Sequence, residues 1–327
     1  MAHLSNPLAT AEQLYRRSSL SSLPTDILDT IFFATQCLTQ AAGLLLQLPQ
    51  STTAQANVLI ARFWLVEPVM LHEFSDVSAA AIYIVAKCGA FPRSPRDVTN
   101  VYAYLLSPAS PLAHRRVAAD DTADGAPPPP LDNDPTCYYQ TEADYHAFHG
   151  RVLALEGRIL YSLSFDTHVS LPHPLAVTYL QALDFLGRPR EEVSRRAVAY
   201  LNAALLSPQM LYLTHQPGAL AVAAVYNAAR DVGAKMPECE WWEVFDVERE
   251  ELGFLVVGLR SLEGWVRKQR EDVPALTEGL LTRRMVETEL ERRGETVGNG
   301  RRKDDMVVDQ EAEMARLMDQ RIASMDE

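Results

Sequence analysis

The chain has 327 residues, 47% of them apolar, which is enough for two ordinary domains plus tails. Its 43 acidic and 30 basic residues leave a formal charge of −13 and a pI of about 5.1, which disfavours broad binding to nucleic acid, because phosphate contacts need clustered Lys and Arg. Apolar runs such as LAVAAVYNAA are too short to cross a bilayer, no basic-then-apolar leader opens the sequence, and four scattered cysteines (Cys37, Cys88, Cys137, Cys239) lack CxxC spacing, so an intracellular, reducing setting without a structural zinc is expected.

Residues 1–22 are polar, with one short helix predicted over Thr10–Arg17, and read as an N-terminal arm. After Pro24, apolar residues at helical spacing predict helices over Thr25–Leu46 and Ser51–Val66, ended by Pro49 and Pro68. The next stretch, FSDVSAAAIYIVAK (Phe74–Lys87), is apolar or small on nearly every side, the pattern of a helix surrounded by others, and ends in a lone cation, Lys87. A fourth helix starts at Ser94 or Pro95, with Asp97 in its first turn. Residues 107–136 turn to Pro, Ala and Asp, four prolines in a row among them, and are expected to form a disordered insertion. Helical spacing resumes over Thr141–Leu163, followed by the connector SFDTHVSLPHPL.

The count then repeats: Leu175–Leu186, Glu191–Leu206, Pro217–Arg230, a short Trp241–Phe245, and Val247–Lys268. Within it VAAVYNAAR (Val222–Arg230) matches AAAIYIVAK (Ala79–Lys87), Tyr226 falling on Tyr83. Beyond Arg270 a mixed-charge tail holds two helical patterns, Ala275–Arg292 and Asp305–Ala323, expected to lie outside the bundles. No strand-like alternation or glycine-rich phosphate loop interrupts the series, so the predicted fold is all-α: an arm (1–22), a five-helix bundle (23–169), a second (170–270) and a helical tail (271–327).

Two tandem five-helix bundles whose middle helices read AA(I/V)Y..A(K/R) resemble the cyclin fold. The words GLLLQLPQSTTAQANVLIARFW, PRSPRDV, LEGRILYSLSFDTHVSLPHPL and PECEWWEVFDV sharpen this to the transcription and splicing branch, and the chain is most similar there to the cyclin L group, over about residues 25–268. The resemblance implies two tandem cyclin boxes and a nuclear, non-catalytic activator of a cyclin-dependent kinase in RNA polymerase II transcription or pre-mRNA splicing. The implied partner is of the kinase 11 group, with a 9/12-type kinase and a cyclin K or T character as the alternative. The resemblance extends the expected partners to splicing or transcription factors; no cofactor, metal, direct nucleic-acid contact or membrane is implied.

By the same resemblance Lys87 and Glu156 stand where cyclins hold the partner around its αC helix, with Tyr83, Phe91 and Ile159 on the same face. An intramolecular Lys87–Glu156 pair at the bundle surface is the plainer alternative. The chain departs from its relatives at Gly89-Ala90, where many transcriptional cyclins carry an acidic pair, and no long Arg-Ser repeat occurs in these 327 residues.

Other constellations carry less. His146 and His149 share a helix face but lack a third ligand at suitable spacing, so they read as solvated or packed. His168 and His173 flank the connector, where a structural role is expected. Ser94, Ser107 and Ser110 precede prolines, which fits helix starts and loops as well as phosphorylation. At least one of Trp241 and Trp242 is expected in the core, and Arg301, Arg302 and Lys303 form a weak nuclear-import signal. The rival in another class is a scaffold resembling the two-repeat core of the TFIIB group, which would require basic faces along the repeats.

Overall fold

The computed structural model describes residues 5–21, 23–112, 138–186, 191–277 and 279–294. Most of the insertion expected at 107–136, the helix expected over 305–323 and the basic cluster at 301–303 lie outside these residues. Among the described residues there is no strand, and no helix is long and apolar enough to cross a membrane.

The first bundle is built from α2 (Thr25–Leu45), α3 (Gln50–Phe63), α4 (Phe74–Cys88), α5 (Pro95–Leu106) and α6 (Glu142–Ser162), preceded by α1 (Ala11–Ser21). Helix α4 is the surrounded one, buried at every position from Phe74 to Ala86 except Tyr83 and packed against α2, α3, α5 and α6. Ala79, Ala80, Ala81 and Ala86 make this possible, because small side chains bring four neighbours close to one backbone. Its core also holds a hydroxyl relay: Ser78 lies 2.7 Å from Thr39 and 2.6 Å from Tyr102. Helices α2 and α3 approach closely at Gly43, where a Cβ would run into the Thr53 side chain. Helices α5 and α6 open on capping boxes, Ser94 with Asp97 and Thr141 with Asp144, which satisfy main-chain N–H groups left without helical partners.

The second bundle contains α7 (Pro172–Ala182), α8 (Glu191–Leu206), α9 (Leu211–Thr214), α10 (Pro217–Val232) and α11 (Arg249–Asp272). Helix α10, the copy of α4, is flanked by α7, α8 and α11 and buries Ala219–Val225 without a break. Its fourth element is reduced to a single 3-10 turn, Glu243–Phe245, and the short α9 is an addition that periodicity did not reveal. Trp241 is buried and stacks on Tyr226 at 6.4 Å. The connector is strapped from both sides. Arg62 donates to the His168 carbonyl at 2.8 Å, Gln55 to the Thr167 carbonyl at 2.8 Å, and His173 meets Asn202 of α8 at 2.9 Å.

Both ends of the described chain pack onto the bundles. The arm is docked: Asn6 exchanges two hydrogen bonds with Ser170, both 2.8 Å, and two more with Gln216, while Arg17 is buried over the Phe32 ring beside Asp29. The tail, expected outside the bundles, packs onto them. It forms α12 (Pro274–Thr277) and α13 (Arg283–Arg293) instead of one helix over 275–292, broken where Gly279 takes a φ of +94°. Val273, Leu276, Leu281, Val286 and Leu290 are buried, the Arg283 N–H donates to Glu73 at 3.2 Å, and Arg293 reaches Asp26 at 2.8 Å. Five apolar side chains among charges read as a solvated tail in sequence, yet suffice for docking once turns bring them to one side.

Candidate functional site

Lys87 occupies the last turn of α4 and Glu156 the middle of α6, and α6 is held by polar ties both to α4 and to the segment that follows α3. Arg151 Nε donates to Asp76 at 2.8 Å, and Arg158 and Ser162 donate to the buried Glu67 at 3.2 and 3.3 Å. These ties, with the apolar row Phe148, Val152, Leu155 and Ile159 facing inward, set the roll of α6 and place Glu156 at the rim of the α4–α6 contact. There Lys87 Nζ donates to Glu156 Oε1 at 3.0 Å and sits 5.4 Å from the Tyr83 ring centre. The hydrogen bond to Glu156, then the charge of that carboxylate, hold the ammonium above its ordinary pKa, so it is charged throughout the neutral range.

The pair is neither split across the molecule nor sealed inside it: the Lys87 side chain is 55% exposed and that of Glu156 13%. Beside it α6 turns Leu153, Ala154, Gly157 and Tyr161 outward, Leu153 being 42% and Tyr161 79% exposed. Phe91, on the segment after α4, is 48% exposed. Gly89 begins that segment because a Cβ there would come within 2.9 Å of the Val85 carbonyl oxygen, a steric reason for glycine where this chain departs from the acidic pair of many transcriptional cyclins.

One expected site residue is corrected. Ile159 is fully buried, in register with Phe148, Val152 and Leu155, so it packs the bundle and offers nothing to a partner. Three residues that sequence reasoning passed over, Leu153, Gly157 and Tyr161, line the outer face instead. Their signal was available: apolar or small residues at four-residue spacing, off the core stripe, on a helix face where charge is the norm. The histidines of α6 go elsewhere, His149 stacking on Tyr145 at 5.5 Å and His146 lying 3.7 Å from Glu142. Such a face, with one ammonium, one carboxylate and exposed apolar side chains, can hold a complementary helix from another protein.

No family model matches the chain. Cyclin-L2 of Homo sapiens is 30% identical over 295 residues, covering 85% of this chain and 52% of the relative. Cyclin-L1 of Gallus gallus is 29% identical over 294 residues, covering 85% and 50%, and cyclin-L1 of Homo sapiens is 32% identical over 233 residues, covering 71% and 39%. The chain thus spans about half the length or less of the curated relatives it matches. A chain of the yeast RNA Pol II CTD kinase CTDK-1 complex superposes with a TM-score of 0.60 at 14% identity, covering 93% of this chain and 88% of that one. A chain of the CAK complex from Chaetomium thermophilum bound to ATP-gamma-S gives 0.54 at 14% identity, covering 88% and 90%.

Two helical bundles, each wrapped around an alanine-rich central helix, define this as a protein of the cyclin fold. Sequence carries the assignment one step further, since the fold match at 14% identity speaks to architecture alone. The chain is a cyclin-like protein similar to cyclin L.

Proposed function

We propose that this chain is a regulatory, non-catalytic subunit that activates a cyclin-dependent Ser/Thr kinase in RNA polymerase II transcription or pre-mRNA splicing, as its similarity to cyclin L suggests. The observation that carries the reading is the Lys87–Glu156 pair, held at the rim of an outward apolar face on α6. We assign the two cyclin boxes to residues 23–169 and 170–270, and the partner surface to Lys87, Glu156, Tyr83 and Phe91, joined by Leu153 and Tyr161. The partner belongs to the cyclin-dependent kinase 11 group, and the complex works in the nucleus.

The mechanism is positional. Phosphoryl transfer by a protein kinase needs an ion pair between its β3 lysine and its αC glutamate, together with an ordered activation loop. The cyclin-like chain supplies no nucleotide site and no base; it clamps αC inward and so raises the population of the active conformer. Lys87 offers three donors, of which Glu156 takes one, and Glu156 keeps an oxygen for main-chain N–H groups of an incoming helix. Around them Tyr161, Leu153 and Phe91 supply apolar area that gains from leaving water.

Affinity purification of the chain from native extract, with the bound kinase identified by mass spectrometry, tests the reading. Recovery of a kinase of the 11 group supports it. Recovery of DNA and basal transcription factors with no kinase would overturn it in favour of a scaffold.

A further inference from the structure

The sequence contains four Ser-Pro pairs, at Ser94, Ser107, Ser110 and Ser207, and the fold treats one of them differently. Ser107, Ser110 and Ser207 are buried at 5%, 0% and 2% exposure. Burial is what sets them apart, since all four hydroxyls are engaged: Ser107 Oγ donates to the Tyr104 carbonyl at 2.7 Å, Ser110 Oγ accepts from the Leu112 N–H at 3.2 Å, and Ser207 Oγ accepts from the Gln209 N–H at 3.4 Å. Ser94 is exposed and lies in extended backbone (φ −68°, ψ 151°) at the end of an irregular segment in which Gly89–Pro92 are all exposed.

The turn after Ser94 is largely accessible, with Arg96 and Asp97 exposed and Pro95 half-buried. Pro95, Arg96 and Asp97 form the first turn of α5, and the first buried side chain of that helix is Val98. The turn can therefore open to present Ser94-Pro95 without uncovering the core, a local event of the kind that helix ends undergo readily. We propose that Ser94 is a phosphoacceptor for a proline-directed Ser/Thr kinase using ATP. In the reaction Ser94 Oγ attacks the γ-phosphorus; the Oγ–P bond forms as the bond to the β–γ bridging oxygen breaks, ADP leaves, and the hydroxyl proton passes to the kinase's base.

The surroundings define what the phosphate does locally. Ser94 Oγ now donates to Asp97 Oδ2 at 2.7 Å and accepts from the Asp97 N–H at 3.1 Å. A phosphate keeps the acceptor role and loses the donor, so its negative charge faces the Asp97 carboxylate and opens half of the capping box. Two arginines flank it. Arg93 is bound to the Leu46 and Gln47 carbonyls at 2.8 and 3.2 Å, and Arg96 lies over the Tyr145 ring at 5.1 Å. Either guanidinium can turn to the phosphate as a charge-assisted donor. The modification falls three residues after Phe91, but its occurrence does not depend on the kinase-subunit reading.

The test is phosphosite mapping by mass spectrometry after the folded full chain is incubated with ATP and a proline-directed kinase. A peptide spanning residues 88–100 and a Ser94→Ala chain are run in parallel. One phosphate on Ser94, absent from the Ser94→Ala chain, is the expected result. The proposal is overturned if the folded chain stays unmodified, whether or not the peptide reacts, or if the phosphate maps to Ser107, Ser110 or Ser207.

Discussion

Lys87 and Glu156 meet at 3.0 Å, yet they are unequal partners: the ammonium stands largely in water, whereas the carboxylate is seated against the bundle at 13% exposure. An exposed pair of this kind adds little to folding, because solvent screens it and ordering a lysine costs entropy. Its value lies in what the two groups offer outward.

The first prediction separates those roles. Lys87→Ala and Glu156→Ala leave helicity and the urea midpoint close to the parent chain, while capture of the kinase falls about 30-fold or more, as when one partner of a desolvated interfacial charge pair is removed. The exchange Lys87→Glu with Glu156→Lys restores the internal pair but reverses what a partner meets, so capture stays lost. Normal capture by the exchanged chain would show that only the internal pair matters.

The docked tail makes a second prediction. Leu290 is 2% exposed, and Leu290→Ala should lower stability by about 2–5 kcal/mol in urea unfolding, the range for truncating a buried leucine. A solvated tail would show no change. Hydrogen bonds from Arg292 above all hold the Glu289 carboxyl down at about 2, against an ordinary value near 4.5. Its contribution is therefore present above pH 4.5 and lost as pH falls from there towards 2.

Helix approach at Gly43 gives a third. Gly43→Ala places a methyl group against Thr53, and overpacking of this kind costs about 1–3 kcal/mol. The double variant Gly43→Ala with Thr53→Ala should recover part of that loss, since the two residues share one contact. Additive losses in the double-mutant cycle would mean that the contact is not the cause.

A fourth concerns pH. Burial lowers the pKa values of His72, His173 and His215, so below about pH 6.5 the unfolded chain takes up protons that the folded chain resists. Stability should fall between pH 7 and 5, read as a declining urea midpoint. Asp29 works the other way: burial raises its pKa to about 6, against the pull of Arg17, so between about pH 6 and 4 the folded state binds its proton first. Asp29→Asn removes this opposing contribution and should steepen the decline; an unchanged slope would show that Asp29 titrates normally.

Much of the architecture was legible in residues alone. A helix writes its buried face at three- and four-residue spacing, so the extents of Phe74–Cys88 and Glu191–Leu206 follow from local pattern, and the repeat of AAAIYIVAK as VAAVYNAAR announced two central helices. Proline and capping residues marked the starts of α2, α3 and α5 for equally local reasons. Resemblance to cyclins pointed to Lys87 and Glu156, but nothing in sequence brings residues 69 apart to hydrogen-bonding distance.

Tertiary structure decided what depends on distant neighbours. Ile159 and Tyr161 are two residues apart on one helix, and only the roll of α6, set by Arg151 on Asp76 and Arg158 on Glu67, sends one into the core and the other into water. The docking of the arm through Asn6 and of the tail through Leu290 was invisible for the same reason. Sparse apolar or polar residues have no period of their own, and their burial follows from surfaces that exist only after the bundles have formed. Four Ser-Pro pairs look alike as text, and packing alone leaves Ser94 in reach.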